Sequence, residues 1–110
     1  ERYNLMRQWS AFHQEYPILL SPTWARRAFA PGADLDPDTA VEMMTDTIRP
    51  AVPSNLLGTP AVVTPAGVVD GLPVGVQVMG DRFTDLQCLT IAAEIESLVG
   101  TITPIDPITT

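Results

Sequence analysis

Lysine is absent from this sequence, and its six basic residues are all arginine, against 13 acidic residues and a formal net charge of −7. Proteins that bind nucleic acid neutralise the phosphates with a basic patch. The charge balance therefore argues against nucleic acid as a partner. It also excludes any site that depends on a lysine of this chain.

Cysteine and histidine occur once each, as Cys88 and His13. A single cysteine excludes an internal disulfide framework and suits a reducing compartment. Apolar runs are short, and none approaches the roughly 20 residues that span a bilayer. We therefore expect a soluble, cytoplasmic protein without a membrane partner. The chain starts at Glu1 and not at methionine, which favours a processed or truncated chain.

Candidate nucleophiles and bases are few, and each has a simpler structural explanation. His13 lies beside Trp9 and Tyr16 on the edge of an apolar helix face, so we interpret it as a structural or surface histidine. Cys88 falls on the inward face of an amphipathic helix, where a packed thiol is unreactive. The sequence therefore predicts no catalytic residue on this chain.

Metal and phosphate sites are not predicted either. Aspartates alternate from Asp34 to Asp38 as at the start of a calcium loop, but Thr39 and Thr45 replace the glycine and the bidentate glutamate that such a loop requires. The glycines between residues 67 and 80 fit neither the dinucleotide nor the P-loop spacing. We expect no cofactor and no metal.

The strongest structural signal is a β-hairpin near residues 61–79. Two runs rich in β-branched residues flank Asp70-Gly71, a dipeptide that favours tight reversals because both residues tolerate positive φ. Pro65 can occupy only an edge, a bulge or a strand end. Gly75, inside the second run, predicts that another group approaches the strand closely.

Helices are predicted on both sides of this hairpin, which indicates an α/β fold. The first covers residues 1–16 and ends before Pro17, and a short strand at Ile18–Leu20 reads as buried on both faces. A second helix is capped by Asp36 and carries an apolar stripe of Val41, Met44 and Ile48. The last helix has Thr84 and Gln87 as a capping box, Phe83 and Cys88 as a hydrophobic staple, Gly100 at its end, and an inward face of Cys88, Ile91, Ala92, Ile95, Leu98 and Val99. Residues 101–110 read as a loosely held tail.

Three segments closely resemble the C-terminal part of the amidase signature enzymes. They are NLLGTPAVVTPAG at residues 55–67, DGLPVGVQ at residues 70–77 and YPILLSPT at residues 16–23. The resemblance continues from Gly80 into the last helix and covers nearly the whole chain. It implies the C-terminal portion of an α/β/α fold with a mixed sheet, so that residues 1–110 are one segment of a larger amidase domain.

The resemblance further implies hydrolysis of carboxylic amides by a serine nucleophile, with a second serine and a lysine as activating groups and backbone N–H groups at the oxyanion. This chain has no lysine and no glycine- and serine-rich segment, so those groups are expected outside it. The implied partners are a small-molecule amide and the N-terminal portion of the same fold, and self-association into a homo-oligomer stays open.

By the same resemblance, two segments are expected at the mouth of the substrate pocket. They contribute the predicted substrate-binding residues, which are Thr23, Trp24, Ile48, Arg49 and Val52. The amidotransferase member of this family places an acid ahead of its Pro-x-Asn-Leu stretch to hold the amine of glutamine. Here Ile48 and Arg49 occupy that place and the nearest acid is Asp46, which favours a plain amidase over an amidotransferase segment.

A different class of function is the alternative. A free-standing interaction module would use the exposed edge of the hairpin to pair with a strand of a partner. A monomeric 110-residue chain that melts cooperatively would favour this hypothesis, whereas aggregation or a molten state would favour the amidase segment.

Overall fold

Three antiparallel strands form the centre of the protein, in a computed structural model that describes residues 1–102. The strands are β1 (Leu19–Pro22), β2 (Ala61–Val69) and β3 (Leu72–Met79), and β3 lies between the other two. The helices are α1 (Arg2–Glu15), α2 (Ala40–Ile48), α3 (Val52–Leu57) and α4 (Asp85–Val99), with 3-10 turns at Ala33–Leu35 and Arg49–Ala51. The predicted tail falls largely on residues 103–110, outside the described residues.

The predicted hairpin is confirmed, and its strands are longer than the β-branched runs. Asp70 and Gly71 have φ values of 50° and 77°, which is the positive pair that a two-residue hairpin turn requires. The register shifts between Pro65 and Gly67, so Pro65 lies beside a β-bulge on a strand with only one partner. A proline there removes no hydrogen bond from the centre of the sheet.

Helices cover both faces of the sheet. Val78 and Cys88 are fully buried and pack with Ala92, which places α4 on the face of β3 that carries Val78. Gln77 faces the opposite side, because neighbouring residues of a strand alternate, and its side chain contacts Pro50 between α2 and α3. Trp9 Nε1 donates to the Gly80 carbonyl oxygen at 3.3 Å, which attaches α1 to the end of β3. The α/β fold class is as predicted.

This layer structure is thin. The protein measures 52 × 39 × 17 Å, so few side chains can be enclosed from all sides. The buried apolar residues in the described part of the chain are Leu57, Val78, Met79, Cys88 and Ala92. Many large apolar side chains stay exposed, including Phe83, Leu86 and Leu98, each at least 80% exposed. Apolar surface of this extent marks an interaction surface.

The prediction of a fully buried first strand was wrong, and the predicted start of α2 is displaced by one turn. β1 begins at Leu19 and ends at Pro22. Leu20 is 53% exposed although its partner Val78 is fully buried, because β1 lies at the edge of the sheet and α4 packs mainly on β2 and β3. Asp36 makes the predicted kind of capping contact one turn before α2, since its carboxylate accepts the N–H of Asp38 and its carbonyl oxygen accepts the N–H of Ala40 at 2.8 Å. The regular helix starts at Ala40, directly after Thr39.

The predicted apolar stripes are only partly buried. On α2, Val41 is 78% exposed and Ile48 is 40% exposed, while Thr47 is fully buried, so the inward face is rotated from the predicted one. On α4, Cys88 and Ala92 are buried as predicted and Leu98 is not. Phe83 has a positive φ of 66° that turns its ring to solvent, and the predicted staple with Cys88 is therefore absent.

The end contacts of α4 also differ from the prediction. Thr84 precedes the helix, but its hydroxyl donates to the Asp81 carbonyl oxygen at 2.7 Å and does not cap a helical N–H. Gly100 follows the helix with a positive φ of 85° and an extended ψ of 168°, which is not the left-handed cap.

None of the helices in residues 1–102 has the length and apolarity to cross a membrane.

Candidate functional site

A groove of about 620 Å³ opens where β1 ends, and we call it the Trp24 groove. After Pro22 the chain leaves the sheet and passes over the face of the hairpin that carries Val63 and Gly75. Most of the lining is apolar, and its main contributors are Pro22, Thr23, Trp24, Phe29, Val63 and Gly75. A volume of this size lies in the range of small-molecule sites, about 300–1,000 Å³.

Gly75 makes the floor of the Trp24 groove possible. A Cβ at this position would lie 3.1 Å from Thr23 Oγ1 and 3.2 Å from Val63 Cγ1, closer than ordinary packing. The missing side chain therefore lets Thr23 rest on β3, and the Thr23 N–H donates to the Gly75 carbonyl oxygen at 3.4 Å. The predicted close approach at Gly75 is confirmed.

Two aromatic rings form one wall of the groove. The centroids of Trp24 and Phe29 are 6.5 Å apart with an interplanar angle of 52°, a favourable tilted contact. Trp24 is 47% exposed, so part of its ring faces the open groove. At the base of the wall, Thr23 Oγ1 is buried without a hydrogen-bond partner.

The charges beside the groove are paired. Arg26 binds Asp46 at 2.8 Å, and Arg27 binds Asp70 at the turn of the hairpin. Asp46 also accepts a hydrogen bond from Arg49 at 2.8 Å, so one carboxylate bridges two guanidinium groups. These exposed pairs contribute little stability, about 0–1 kcal/mol each, but they offset the positive charge at the rim.

The five predicted substrate-binding residues do not converge on one surface. Thr23 and Trp24 lie together in the Trp24 groove. Ile48 is 40% exposed at the end of α2, and Arg49 reaches the rim only through Asp46. Val52 instead lines a second, apolar groove of about 430 Å³ between α1 and α3, together with Trp9. Of the five residues, Thr23 and Trp24 therefore line the groove, and Arg49 is connected to its rim through Asp46 and Arg26.

A backbone contact holds the two predicted segments next to each other. The Ala25 N–H donates to the Thr47 carbonyl oxygen at 3.0 Å, which fixes the chain after Trp24 against the end of α2. Thr47 is fully buried and its hydroxyl donates to the Met43 carbonyl oxygen at 2.6 Å. The wall of the groove is therefore supported by a rigid helix end.

Sequence reasoning missed Phe29 and Val63 as groove residues. Phe29 lies in a segment without periodicity, so the sequence carries no signal for the direction of its ring. Val63 could have been found from the strand pattern. Gly75 pairs with Pro65, and Val63 lies two residues before Pro65 on the same strand, so its side chain faces the same side of the sheet as Gly75.

The single histidine is structural. His13 is 6% exposed and packs against the rings of Trp9 and Phe12. Its Nδ1 lies 2.9 Å from the Tyr16 carbonyl oxygen, which can only accept, so Nδ1 carries the proton. Nε2 is buried without a partner. The ring is on α1, and neither it nor α1 lines the Trp24 groove.

The single thiol is also structural. Cys88 is fully buried beside Val78 and Ala92, as predicted for a packed core cysteine. Burial raises the pKa of the Cys88 thiol, and the carboxylate of Asp85 raises it further, while a hydrogen bond with Thr84 acts in the opposite direction. Within residues 1–102 no group of three or more histidine, cysteine, aspartate or glutamate side chains is placed to hold a metal ion.

Comparison with protein families gives one match over most of the chain. The sequence profile described as Amidase matches residues 1–89. Among individual proteins, the indoleacetamide hydrolase of Bradyrhizobium japonicum is 35% identical over 96 residues, which is 86% of this chain and 21% of that protein. The A subunit of the glutamyl-tRNA(Gln) amidotransferase of Salinispora tropica is 37% identical over 100 residues, or 91% of this chain and 20% of that protein.

Solved structures give the same family. The A subunit of the glutamyl-tRNA(Gln) amidotransferase of Thermotoga maritima superposes with a TM-score of 0.72 at 38% identity, covering 87% of this chain and 20% of that one. A bacterial aryl acylamidase of the amidase signature family superposes with a TM-score of 0.63 at 27% identity, covering 87% of this chain and 21% of that one.

The resemblance drawn from the three sequence segments is therefore confirmed. The chain spans about a fifth of the length of the relatives it matches. Because the family profile covers 89 of the 110 residues, this protein belongs to the amidase family.

Proposed function

We propose that residues 1–110 form the C-terminal segment of a larger, cytoplasmic amidase domain that hydrolyses carboxylic amides to an acid and ammonia or an amine. The observation that carries the proposal is the family match over residues 1–89, in relatives of which the matched part is about a fifth. The exposed apolar side chains of α4, such as Leu86 and Leu98, support it, because the remainder of such a domain would cover them.

The catalytic groups of this enzyme lie outside the chain in our proposal. No lysine is available, and neither His13 nor Cys88 lines the Trp24 groove. The contribution of this segment is a wall of the substrate pocket. Thr23 and Trp24 supply its inner surface, and Ile48, Arg49 and Val52 lie beside it, where α2 ends and α3 begins.

The test is an assay of the complete protein that carries this segment. We expect release of ammonia from simple carboxylic amides, and loss of that activity when the serine nucleophile in the preceding part is replaced by alanine. A complete protein with its serine present that hydrolyses no amide contradicts the proposal. The isolated 110-residue chain serves as the matched control, and it should release no ammonia.

An amidotransferase segment is the second candidate, because glutamyl-tRNA(Gln) amidotransferases are prominent among the relatives. A glutamine-using segment needs an acid free to hold the amine of glutamine. Asp46, the nearest acid, is bound by both Arg26 and Arg49 at 2.8 Å, which favours the plain amidase. Hydrolysis of glutamine in preference to simple amides by the complete protein would reverse this choice.

The interaction-module hypothesis depends on the open edge of β2. This strand pairs only with β3 among the described strands, so its other edge offers backbone hydrogen bonds to a partner. Thermal melting of the isolated chain separates the two hypotheses. A cooperative, monomeric transition favours the module, whereas binding of the dye ANS without a sharp transition favours a segment that lacks its covering layer.

A further inference from the structure

We infer that the Trp24 groove selects amides whose acyl part carries an aromatic ring, with Trp24 as the specificity-determining residue. This inference rests on the amide hydrolysis proposed above and adds the class of substrate. Its basis is the size of the groove, the chemistry of its walls and the pairing of the charges at its rim.

The size of the groove and its apolar lining fit a ring and not a small amide alone. A volume of about 620 Å³ is in the range of sites that enclose drug-sized ligands. Pro22 and Val63 contribute aliphatic surface, and Thr23 rests on Gly75 at the floor. An acetamide-sized molecule would leave most of these apolar surfaces in contact with water. A phenyl or indolyl group would cover them.

The aromatic wall supplies the preference for a ring. Trp24 and Phe29 hold each other at a centroid distance of 6.5 Å, so the exposed part of the Trp24 ring is oriented before a ligand arrives. Aromatic rings prefer offset or edge-to-face contacts with one another at about 4.5–7 Å. A third ring can pack against Trp24 in this way, because 47% of the residue is exposed.

The rim charges do not favour a charged acyl group. Arg26 and Arg27 are the cationic side chains of the groove lining, and each is already bound to an aspartate. Asp46 bridges Arg26 and Arg49, so its negative charge is offset as well. A carboxylate on the acyl group would have to displace an existing ion pair. A neutral aromatic group would not.

The experiment compares phenylacetamide with propionamide as substrates of the complete amidase that carries this segment. For Trp24→Ala we expect kcat/KM for phenylacetamide to fall about tenfold or more, mainly through KM, because a pocket contact of this kind changes discrimination by that order. The value for propionamide should change less than about twofold. Trp24→Phe keeps a ring and should retain most of the preference.

Tyr3→Ala is the matched control, because Tyr3 is an aromatic residue of α1 with 81% exposure and does not line the groove. It should leave both substrates unaffected. If Trp24→Ala is unstable, Val63→Phe tests the same groove from the hairpin face. It adds bulk on an exposed strand and should lower kcat/KM for phenylacetamide more than for propionamide.

The outcomes distinguish a failure of the aromatic preference from a failure of amide hydrolysis itself. Selective loss of phenylacetamide hydrolysis in Trp24→Ala or Val63→Phe supports the inference. An active enzyme whose substrate ratio does not change in either variant overturns the inference and leaves amide hydrolysis in place. A complete enzyme that hydrolyses neither substrate nor any other amide overturns the proposed function and this inference with it.

Discussion

Gln77 donates a hydrogen bond from its side-chain amide to the carbonyl oxygen of Pro50 at 3.1 Å. The same nitrogen lies 3.3 Å from Ser21 Oγ, and the residue is only 3% exposed. One buried amide in the central strand therefore connects β1 with the segment between α2 and α3. The predicted substrate-binding residues adjoin these two elements, because Thr23 and Trp24 follow β1 and the other three lie where α2 ends and α3 begins.

Replacing Gln77 by methionine should destabilise the protein by about 1–3 kcal/mol, because the part-buried Pro50 carbonyl oxygen loses its donor. Methionine keeps the length of the side chain, so packing changes little. Thermal unfolding of the amidase that carries this segment measures the effect. Gln87→Met, on the exposed face of α4, should change stability by no more than about 0.5 kcal/mol. Equal shifts in the two variants would refute the role of the buried amide.

Gly80→Ala should destabilise by about 1–3 kcal/mol through overpacking. A Cβ on Gly80 would clash with Thr84 Oγ1 and lie 2.9 Å from Cys88 Sγ, both fixed by the start of α4. Thr84→Ala removes the clashing oxygen. In a double-mutant cycle the pair should lose less stability than the sum of the single variants. Strict additivity of the two changes would show that the clash is not the cause.

Gly71→Ala tests the turn of the hairpin. Gly71 has a φ of 77°, a conformation that costs a residue with a Cβ about 1–2 kcal/mol. Urea or thermal unfolding should report a loss of this size. Gly71→Asn is the control, because asparagine tolerates the left-handed region better than alanine does. An alanine variant as stable as the asparagine variant would argue against the strain.

The Cys88 thiol should resist alkylation in the native protein. Burial raises its pKa above the ordinary value of 9.0, so less thiolate is present at any pH near neutrality. Reaction with iodoacetamide should be slow in the native state and fast after unfolding in urea. The control is Glu94→Cys in a Cys88→Ala background, which places a thiol on the exposed side of the same helix. Similar native rates for the two thiols would contradict the expected protection.

The raised pKa of the Cys88 thiol also predicts how the stability of the protein depends on pH. A pKa raised on folding means that the native state holds the proton more tightly. The stabilisation from the neutral thiol is then complete below the unfolded pKa and is lost as the pH rises through the folded one. Cys88→Ala should remove this alkaline loss of stability.

The hairpin was predictable because its signals are local. Asp70-Gly71 specifies the turn, Pro65 specifies an irregular edge, and Gly75 specifies a close approach, and each depends on the residue itself. The helix ends were less predictable, because alternative local hydrogen bonds compete. The carboxylate of Asp36 accepts the N–H of Asp38 before α2 begins. The Thr84 hydroxyl donates to the Asp81 carbonyl oxygen and does not accept a helical N–H.

The candidate site was predicted in part for a different reason. The resemblance identified Thr23 and Trp24, which line the groove. The ring of Phe29 depends on how an irregular segment folds over the sheet, and no period or turn motif encodes that path. Val52 was expected on the same surface, but α3 begins there and directs the residue toward α1.

The separation along the chain between paired strands also bears on the order in which the strands assemble. β2 and β3 are joined by a two-residue turn, whereas Ser21 of β1 is 56 residues away from Gln77, its partner in β3. Contacts between residues that are far apart along the chain have a larger entropic cost of loop closure than local contacts, and such contacts tend to form later. We therefore expect β2 and β3 to pair first and β1 to join them afterwards. Trp24 lies two residues after the end of β1, so we expect it to reach its final position after the hairpin has formed.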